Sequence, residues 1–306
     1  MSAAPSTPGA GRYAPSPSGD LHLGNLRTAI LAWVLARRTS RAFHLRVEDL
    51  DRVREGAEQR QLDDLAALGL DWDGEVMRQS ERGAAHQAAI AELTARGLVY
   101  ECYCTRREIL EAPSAPHAPP GAYPGTCRDL SEAERERGRE RMRELRRAPA
   151  VRLRAEVSSW RVQDLWAGEV TGPVDDLVLR RGDGVLAYNL AVVVDDAAAG
   201  VDQVVRADDL LSSAPRQAHL AQLLGLPAPE YAHVPLAVNR EGARLAKRDG
   251  AVTLRNRLAR GESAAQVVGR IGESLGVAGC RTAADILERW DPATLPSDPW
   301  IVDLPG

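Results

Sequence analysis

Gly11-Arg-Tyr-Ala-Pro-Ser-Pro-Ser-Gly-Asp-Leu-His-Leu-Gly-Asn25 runs directly into a helical repeat, with Leu26, Ala29, Ile30, Trp33 and Val34 spaced at i, i+3, i+4, i+7 and i+8. That spacing lines one face of a helix with apolar side chains. Residues 11–14 ahead of it are short enough for one strand, and the Pro/Gly text between is a turn. Asn25 stands just before the apolar run, where it can cap the helix's open N–H groups, with His22 and Gly24 in the turn. Strand, turn and helix N-terminus in this order make an anion site, because unpaired N–H groups and the helix dipole both favour a phosphate. A histidine there adds a donor, and a glycine leaves room for a flat ring. A lone His-x-Gly arises by chance in many chains, so this reading needs a second motif.

The second motif is a lysine. Of the 39 Lys and Arg residues only Lys247 is lysine, and it lies in Arg244-Leu-Ala-Lys-Arg248. The plainer reading is compositional drift that left one surface lysine behind, since a surface cation can be either residue at little cost. An ammonium is a compact point charge, whereas a guanidinium is a broad planar fork. A loop that brings one cation against a crowded phosphate accepts the first and rejects the second.

Together the two segments resemble the signature sequences of class I aminoacyl-tRNA synthetases, His-Ile-Gly-His and Lys-Met-Ser-Lys-Ser. Arg12-Tyr-Ala-Pro-Ser-Pro-Ser-Gly19, Leu45-Arg-Val-Glu-Asp-Leu-Asp51, Gly69-Leu-Asp-Trp-Asp73, Tyr188-Asn-Leu-Ala-Val-Val-Val-Asp-Asp196 and Val205-Arg206 narrow the resemblance to the glutamyl-tRNA synthetase group, over about residues 11–250. The resemblance implies an α/β, Rossmann-like catalytic domain that activates L-glutamate with ATP and Mg²⁺. It makes His22 and Lys247 catalytic and places His22, Gly24, Asn25 and Lys247 at ATP. Around glutamate it places Arg12, Tyr13, Ala14, Pro15, Ser16, Glu48, Tyr188 and Arg206. Glu48 would pair with the substrate ammonium, and Arg206, with Arg12 second, would clamp its side-chain carboxylate through two parallel hydrogen bonds. The structural alternative is an ordinary ion pair between Glu48 and Arg206. Three positions depart from the group: Arg244 and Ala246 stand where lysine and serine are common, and Ala207 replaces a usual glycine.

Only 56 residues follow Gly250, enough for a few helices and too few for the large anticodon-binding region of a glutamyl-tRNA synthetase. Residues 263–277 contain one amphipathic helix (Val267, Val268, Ile271, Leu275), and the end reads as Pro-rich and irregular. This layout resembles the glutamyl-queuosine tRNA(Asp) synthetase group. That likeness implies transfer of glutamate to the queuosine base in the anticodon of tRNA(Asp), with the adenylate formed in the absence of tRNA. The alternatives are a truncated glutamyl-tRNA synthetase charging an acceptor end and a non-catalytic tRNA-binding paralogue.

Cys102, Cys104 and Cys127 lie close together and Cys280 far away. A cytosolic chain rarely forms disulfides, so a cluster leans toward metal. Structural zinc takes four ligands, mostly Cys and His. Coordination chemistry leaves the fourth place open between His117, Tyr123 and water, and favours the imidazole, because a phenol must first lose a proton. The resemblance points to Tyr123 instead, since Cys102-Tyr-Cys104 with Tyr123-Pro-Gly-Thr-Cys127 is similar to the Cys, Cys, Tyr, Cys zinc site of the glutamyl-queuosine enzymes. One structural zinc per chain on Cys102, Cys104, Tyr123 and Cys127 is therefore expected, and Cys280 reads as a small buried apolar residue.

Composition fits a cytoplasmic globular enzyme, with hydrophobic residues at 44% and charged at 27%. No apolar run approaches the roughly 20 residues of a spanning helix, and the start, without basic flank or apolar core, reads as a tail and not a signal peptide. A net charge of −4 argues against an RNA partner, but distribution matters more than the sum, and residues 135–154 carry nine arginines against three glutamates. That stretch is either a solvated helix laced with i,i+4 Glu–Arg pairs or partly RNA-facing.

The expected organisation is a tail at 1–10, the first catalytic half at 11–101, a zinc-containing insertion at 102–184, the second half at 185–250 and a short helical stem-contact region at 251–306. Helical patterns at 57–68 and 84–95 alternate with a strand at 42–47. Residues 185–194 form a nearly continuous apolar run, suited to a strand buried on both faces. Strands at 203–206 and 232–239 and a helix after Ser212 complete the second half, with the crevice at the carboxyl ends of the strands. A monomer is expected.

Overall fold

The computed structural model describes residues 9–111, 123–245 and 252–302. Lys247, Ala246 and His117 lie outside the described residues. The chain forms two compact units. One gathers the residues up to Arg78, Ala199–Leu211 and those from Glu230 onward; the other holds Gln79–Ala198 and Ser212–Pro229.

The first unit opens with β1 (Ala10–Tyr13), α1 (Leu23–Arg38), β2 (Ala42–Val47), α2 (Ala57–Ala67) and β3 (Met77–Arg78). The second contains α3 (Gly83–Ala95), β4 (Val99–Cys102), α4 (Arg106–Glu111), α5 (Glu132–Glu144), β5 (Ala150–Leu153), β6 (Ser159–Asp164), β7 (Gly168–Pro173), β8 (Val178–Arg180) and α6 (Tyr188–Ala198). Then β9 (Val201–Ala207) returns to the first unit, α7 (Ala214–Leu223) belongs to the second, and β10 (Glu230–Val234), β11 (Ala237–Val238), α8 (Leu254–Ala259), α9 (Ala264–Ser274), α10 (Ala283–Arg289) and β12 (Trp300–Ile301) complete the first.

The first unit is built on parallel strands in the order β3-β2-β1-β9-β10. Parallel strands need crossovers, and α1 supplies the one from β1 to β2. Its apolar residues are buried all round and not on one face alone: Leu26, Ala29, Ile30, Leu31, Val34 and Ala36 are all buried. The packing is close, because a Cβ on Gly11 of β1 would stand 2.9 Å from the Cβ of Ala36.

In the second unit β4, β5 and β8 form an antiparallel sheet and β6–β7 a hairpin. Leu93, Leu153, Leu179, Leu190, Val192 and Leu220 share its main core. The expected strand at 185–194 is corrected here: from Tyr188 onward the chain is the helix α6. A short apolar run cannot be assigned by periodicity alone. What settles it is Asp195, fully buried on α6, whose carboxylate accepts from Gln79 Nε2 (3.0 Å), Arg82 Nε (3.2 Å) and His86 Nε2 (2.9 Å). A buried carboxylate without such partners would be strongly destabilising. The residues expected as an insertion, 102–184, lie within this unit, which begins earlier, at Gln79. Among the described residues no helix is long and apolar enough to cross a membrane.

Candidate active site and thiol cluster

Helix α1 starts at Leu23, earlier than its apolar spacing suggests. His22 is the cap, and Asn25 is the third helical residue. The two bond reciprocally: the Asn25 N–H donates to His22 Nδ1 (3.2 Å), and the His22 N–H donates to Asn25 Oδ1 (3.2 Å). A ring that accepts at Nδ1 while neutral carries its proton on Nε2. Burial first, and the nearby charge of Arg244 second, lower the His22 pKa from 6.5 to about 4. The imidazole is therefore neutral at physiological pH and has an Nε2–H to donate. His22 also pairs with Thr253, and the Leu23 N–H donates to the Val252 carbonyl (2.8 Å). Gly24 sits in the helix's first turn, not in the preceding turn, and a Cβ there would stand 2.7 Å from the Cβ of Ala237. Arg244 pairs with Asp209 (2.5 Å).

The residues matched to glutamate, Tyr188 excepted, gather near the carboxyl ends of β1, β2 and β9. The Glu48 N–H donates to the Pro15 carbonyl (3.0 Å), tying residues 14–19 to the end of β2. Gln61, buried on α2, donates its amide to the carbonyls of Ser16 (3.0 Å) and Gly19 (2.6 Å). Arg12 is buried, with Nη1 on the Val205 carbonyl (3.2 Å). Arg206 donates from Nε to His233 Nε2 (3.0 Å) and from Nη2 to the Leu210 carbonyl (3.3 Å), and its guanidinium lies 5.4 Å from the Tyr231 ring centre. Burial, then the charge of Glu48, push the Tyr13 phenol up. Glu48 has an intramolecular ion pair, with Arg46 Nη2 (3.1 Å). Tyr188 opens α6 in the other unit and is partly exposed. Ala207 ends β9 and is not among the non-glycine residues of positive φ, so alanine is unstrained there.

Cys102, Cys104 and Cys127 come together in the second unit, with their sulfurs all within 4.8 Å of one another. Cys104 and Cys127 Sγ are 3.5 Å apart, and Tyr123 Oη lies 3.4 Å from Cys102 Sγ and 3.9 Å from Cys104 Sγ. Tetrahedral zinc with bonds of about 2.3 Å to sulfur has S···S edges of roughly 3.8 Å, so the spacing suits that ion. The Tyr123 oxygen already accepts from the Cys127 N–H (2.8 Å), and Arg152 lies over its ring at 3.6 Å. Hydrogen bonds from Cys104 and Cys127 pull the Cys102 thiol far down, while the bond to Cys102 pushes Cys104 up. Burial, followed by hydrogen bonds to Cys102 and Cys127, pushes the Tyr123 phenol up. A dication among the three sulfurs would favour their thiolate forms, since a coordinating thiol gives up its proton. Cys280, buried elsewhere, has its thiol pushed up by burial and makes weak contacts to the Val277 carbonyl and Arg289 Nη1.

The arginine-rich stretch is divided between α5 and β5. On α5, Arg139 pairs with Glu101, Glu132 and Glu136, Arg143 with Glu136, Arg141 with Glu108 and Arg135 with Glu132. Those charges are largely answered within the protein, at i,i+3 and i,i+7 spacings more than the expected i,i+4. Sequence reasoning missed Arg46 and Gln61. The strand period of two puts Arg46 on the face of Glu48 and could have found it; Gln61 carries no local signal.

The parallel sheet, with a helix N-terminus after β1 and charged residues at the strand ends, is the arrangement of a Rossmann-like nucleotide-binding domain. The sequence profile of the family described as tRNA synthetases class I (E and Q), catalytic domain, matches residues 10–268. The glutamyl-Q tRNA(Asp) synthetase of Nocardia farcinica is 62% identical over 299 residues, 98% of this chain and 94% of that one. That of Cutibacterium acnes is 53% identical over 88% of this chain and 76% of its own. Solved glutamate-tRNA ligases share the fold. One from Elizabethkingia anophelis superposes with a TM-score of 0.81 at 22% identity, over 97% of this chain and 68% of that one. One from Elizabethkingia meningosepticum, in complex with its amino acid, gives 0.77 at 23%, over 94% and 66%. The chain belongs to the class I (E and Q) tRNA synthetase family and, within it, to the glutamyl-Q tRNA(Asp) synthetases, and is thus a ligase.

Proposed function

We propose that this chain activates L-glutamate with ATP and transfers it to the queuosine base in the anticodon of tRNA(Asp), working in the cytoplasm. The observation that carries the catalytic part is the geometry around residues 12–25: a neutral His22 on a helix N-terminus, tied through the Pro15–Glu48 bond to the charged strand ends. The relatives' names carry the choice of RNA.

In the first step a glutamate α-carboxylate oxygen attacks the α-phosphorus of ATP, the bond to the bridging oxygen breaks, and pyrophosphate leaves. Charge builds on the phosphoryl oxygens, so pre-aimed donors are the main resource. His22 supplies Nε2–H, Lys247 would supply an ammonium, and Mg²⁺ would neutralise part of the polyphosphate charge. Gly24 and Asn25 shape the adenosine side. Arg206, with Arg12 second, each held by a backbone carbonyl, clamps the substrate's side-chain carboxylate, while Glu48 faces its ammonium; Tyr188 is the further residue matched to glutamate. Cys102, Cys104, Tyr123 and Cys127 would hold one zinc ion, whose chemistry is structural.

The test has two parts. Glutamate-dependent ATP–pyrophosphate exchange should proceed without RNA, with aspartate and glutamine much poorer. Radioactive glutamate should then label queuosine-containing tRNA(Asp) at the anticodon base. Exchange that requires tRNA, or label on an acceptor end, would favour a truncated glutamyl-tRNA synthetase. No exchange under any condition would favour a non-catalytic paralogue.

A further inference from the structure

Residues 300–302, within the stretch the sequence reads as irregular, return to the His22 half-site. β12 pairs in parallel with β11, Trp300 opposite Ala237 and Ile301 opposite Val238. The Trp300 N–H donates to the Leu236 carbonyl and the Val302 N–H to the Val238 carbonyl, both at 2.8 Å. On its other side Val238 pairs antiparallel with Arg244, and Ala237 packs on Gly24. A second tie comes from Arg27, one turn beyond Gly24 and 1% exposed. It donates from Nη1 to the Pro235 carbonyl (2.9 Å) and from Nε to Ser274 Oγ (3.1 Å), with its guanidinium 6.0 Å from the Trp300 ring centre.

Two-residue strands are weak alone, and parallel pairing is the less stable kind. β11 therefore takes its position from its neighbours. A flat ring or phosphate brought to the first turn of α1 would lie beside the contact of Ala237 with Gly24. On the amino-acid side, Glu48, Arg12 and Arg206 bond to Pro15, Val205, Leu210 and His233.

We infer that β12 is a positioning element of the ATP site: Trp300 and Val302 hold β11 against Gly24 and so set the affinity for ATP, not for glutamate. The inference rests on the reading of His22–Asn25 as the ATP half-site. It gives the C-terminal strand a part in the adenylation step.

The test compares wild type with Val302→Pro, which deletes one strand hydrogen bond, Trp300→Ala, which keeps the backbone ladder, and Ser297→Ala, an exposed control. In pyrophosphate exchange the first two should raise the KM for ATP by about fivefold or more and leave that for glutamate within about twofold. Ser297→Ala should leave both unchanged. Equilibrium dialysis with ATP alone should show the same weakening, which keeps the inference testable should wild type lack exchange activity and the functional reading fail. Should Val302→Pro fail to fold, Trp300→Ala carries the test. Unchanged ATP affinity overturns the inference, as does an equal rise in both KM values or a fall in kcat alone, the result expected of a merely structural strand.

Discussion

The thiol cluster and the His22 half-site are both small polar constellations, yet they are assembled in opposite ways. All four candidate donors of the cluster lie within residues 102–127 and belong to one unit. The half-site draws on His22, Gly24, Ala237, Arg244 and Thr253, and behind them on Trp300 and Val302. A local constellation is drawn together by its ligand, and its failure should be all-or-none. A distributed one is held by packing, and its failures should be graded and specific to one substrate.

The largest effect should fall on the cluster. Cys127→Ala removes a donor, and also the sulfur that accepts the Tyr103 N–H (3.4 Å). Structural zinc commonly contributes on the order of 10 kcal/mol of folding free energy in small domains, so three remaining ligands should not hold it. Metal analysis should fall from one zinc per chain to nearly none, and limited proteolysis should open residues 99–153, while glutamate-dependent exchange is affected less than tRNA labelling. A zinc-free wild type would remove the site altogether.

Lys247→Arg is the matching test of the half-site. It keeps the charge and changes its shape, and exchange should drop at least about tenfold, roughly 1.4 kcal/mol of barrier, with zinc content unchanged. Unaltered kinetics would return Lys247 to the status of a surface cation.

Glycines in the two regions should fail for different reasons. Gly24→Ala places a methyl 2.7 Å from Ala237, and overpacking of this kind costs about 1–3 kcal/mol. The loss should show mainly as a raised KM for ATP. Gly125, between Tyr123 and Cys127, has open space around it but φ of +80°. Gly125→Ala should cost about 1 kcal/mol of conformational strain and speed zinc loss to a chelator, with ATP affinity unchanged. Equal effects of the two substitutions on both readouts would erase the distinction between the regions.

The fourth zinc position is the next finer test. Tyr123→Phe should speed zinc loss to a chelator, whereas His117→Ala should not. Zinc loss in the His117 variant alone would overturn the assignment.

What the sequence made legible follows the same divide. The cluster was readable because its donors are neighbours in the chain. The strand, turn and helix around His22 were readable from spacing, but the cap was placed three residues late, because reciprocal bonding between His22 and Asn25 is a matter of side-chain geometry. α6 was misread because a Val-rich run favours a strand by propensity, and only the buried partners of Asp195 reveal the helix. β12 was invisible: two residues near a proline carry no period, and their partner lies some sixty positions earlier.

The smallest expected effect is the titration of His22. Its folded pKa is about 4 against an ordinary 6.5, with burial the larger cause and Arg244 the lesser. The unfolded chain therefore binds the proton first as pH falls. Stability should decline as pH drops through 6.5, and the loss should be complete below about 4. Discounted for partial exposure, the effect at pH 5 is about 1 kcal/mol. His22→Gln should remove it, narrowing the fall in Tm between pH 7 and pH 5 by a few degrees. The ring nitrogens give an independent readout: ¹⁵N spectra should show Nδ1 unprotonated and Nε2 protonated at pH 7. Protonation of His22 near 6.5, or the opposite tautomer, would mean that the cap does not aim Nε2–H. His22 would then lose its place as the donor to phosphate.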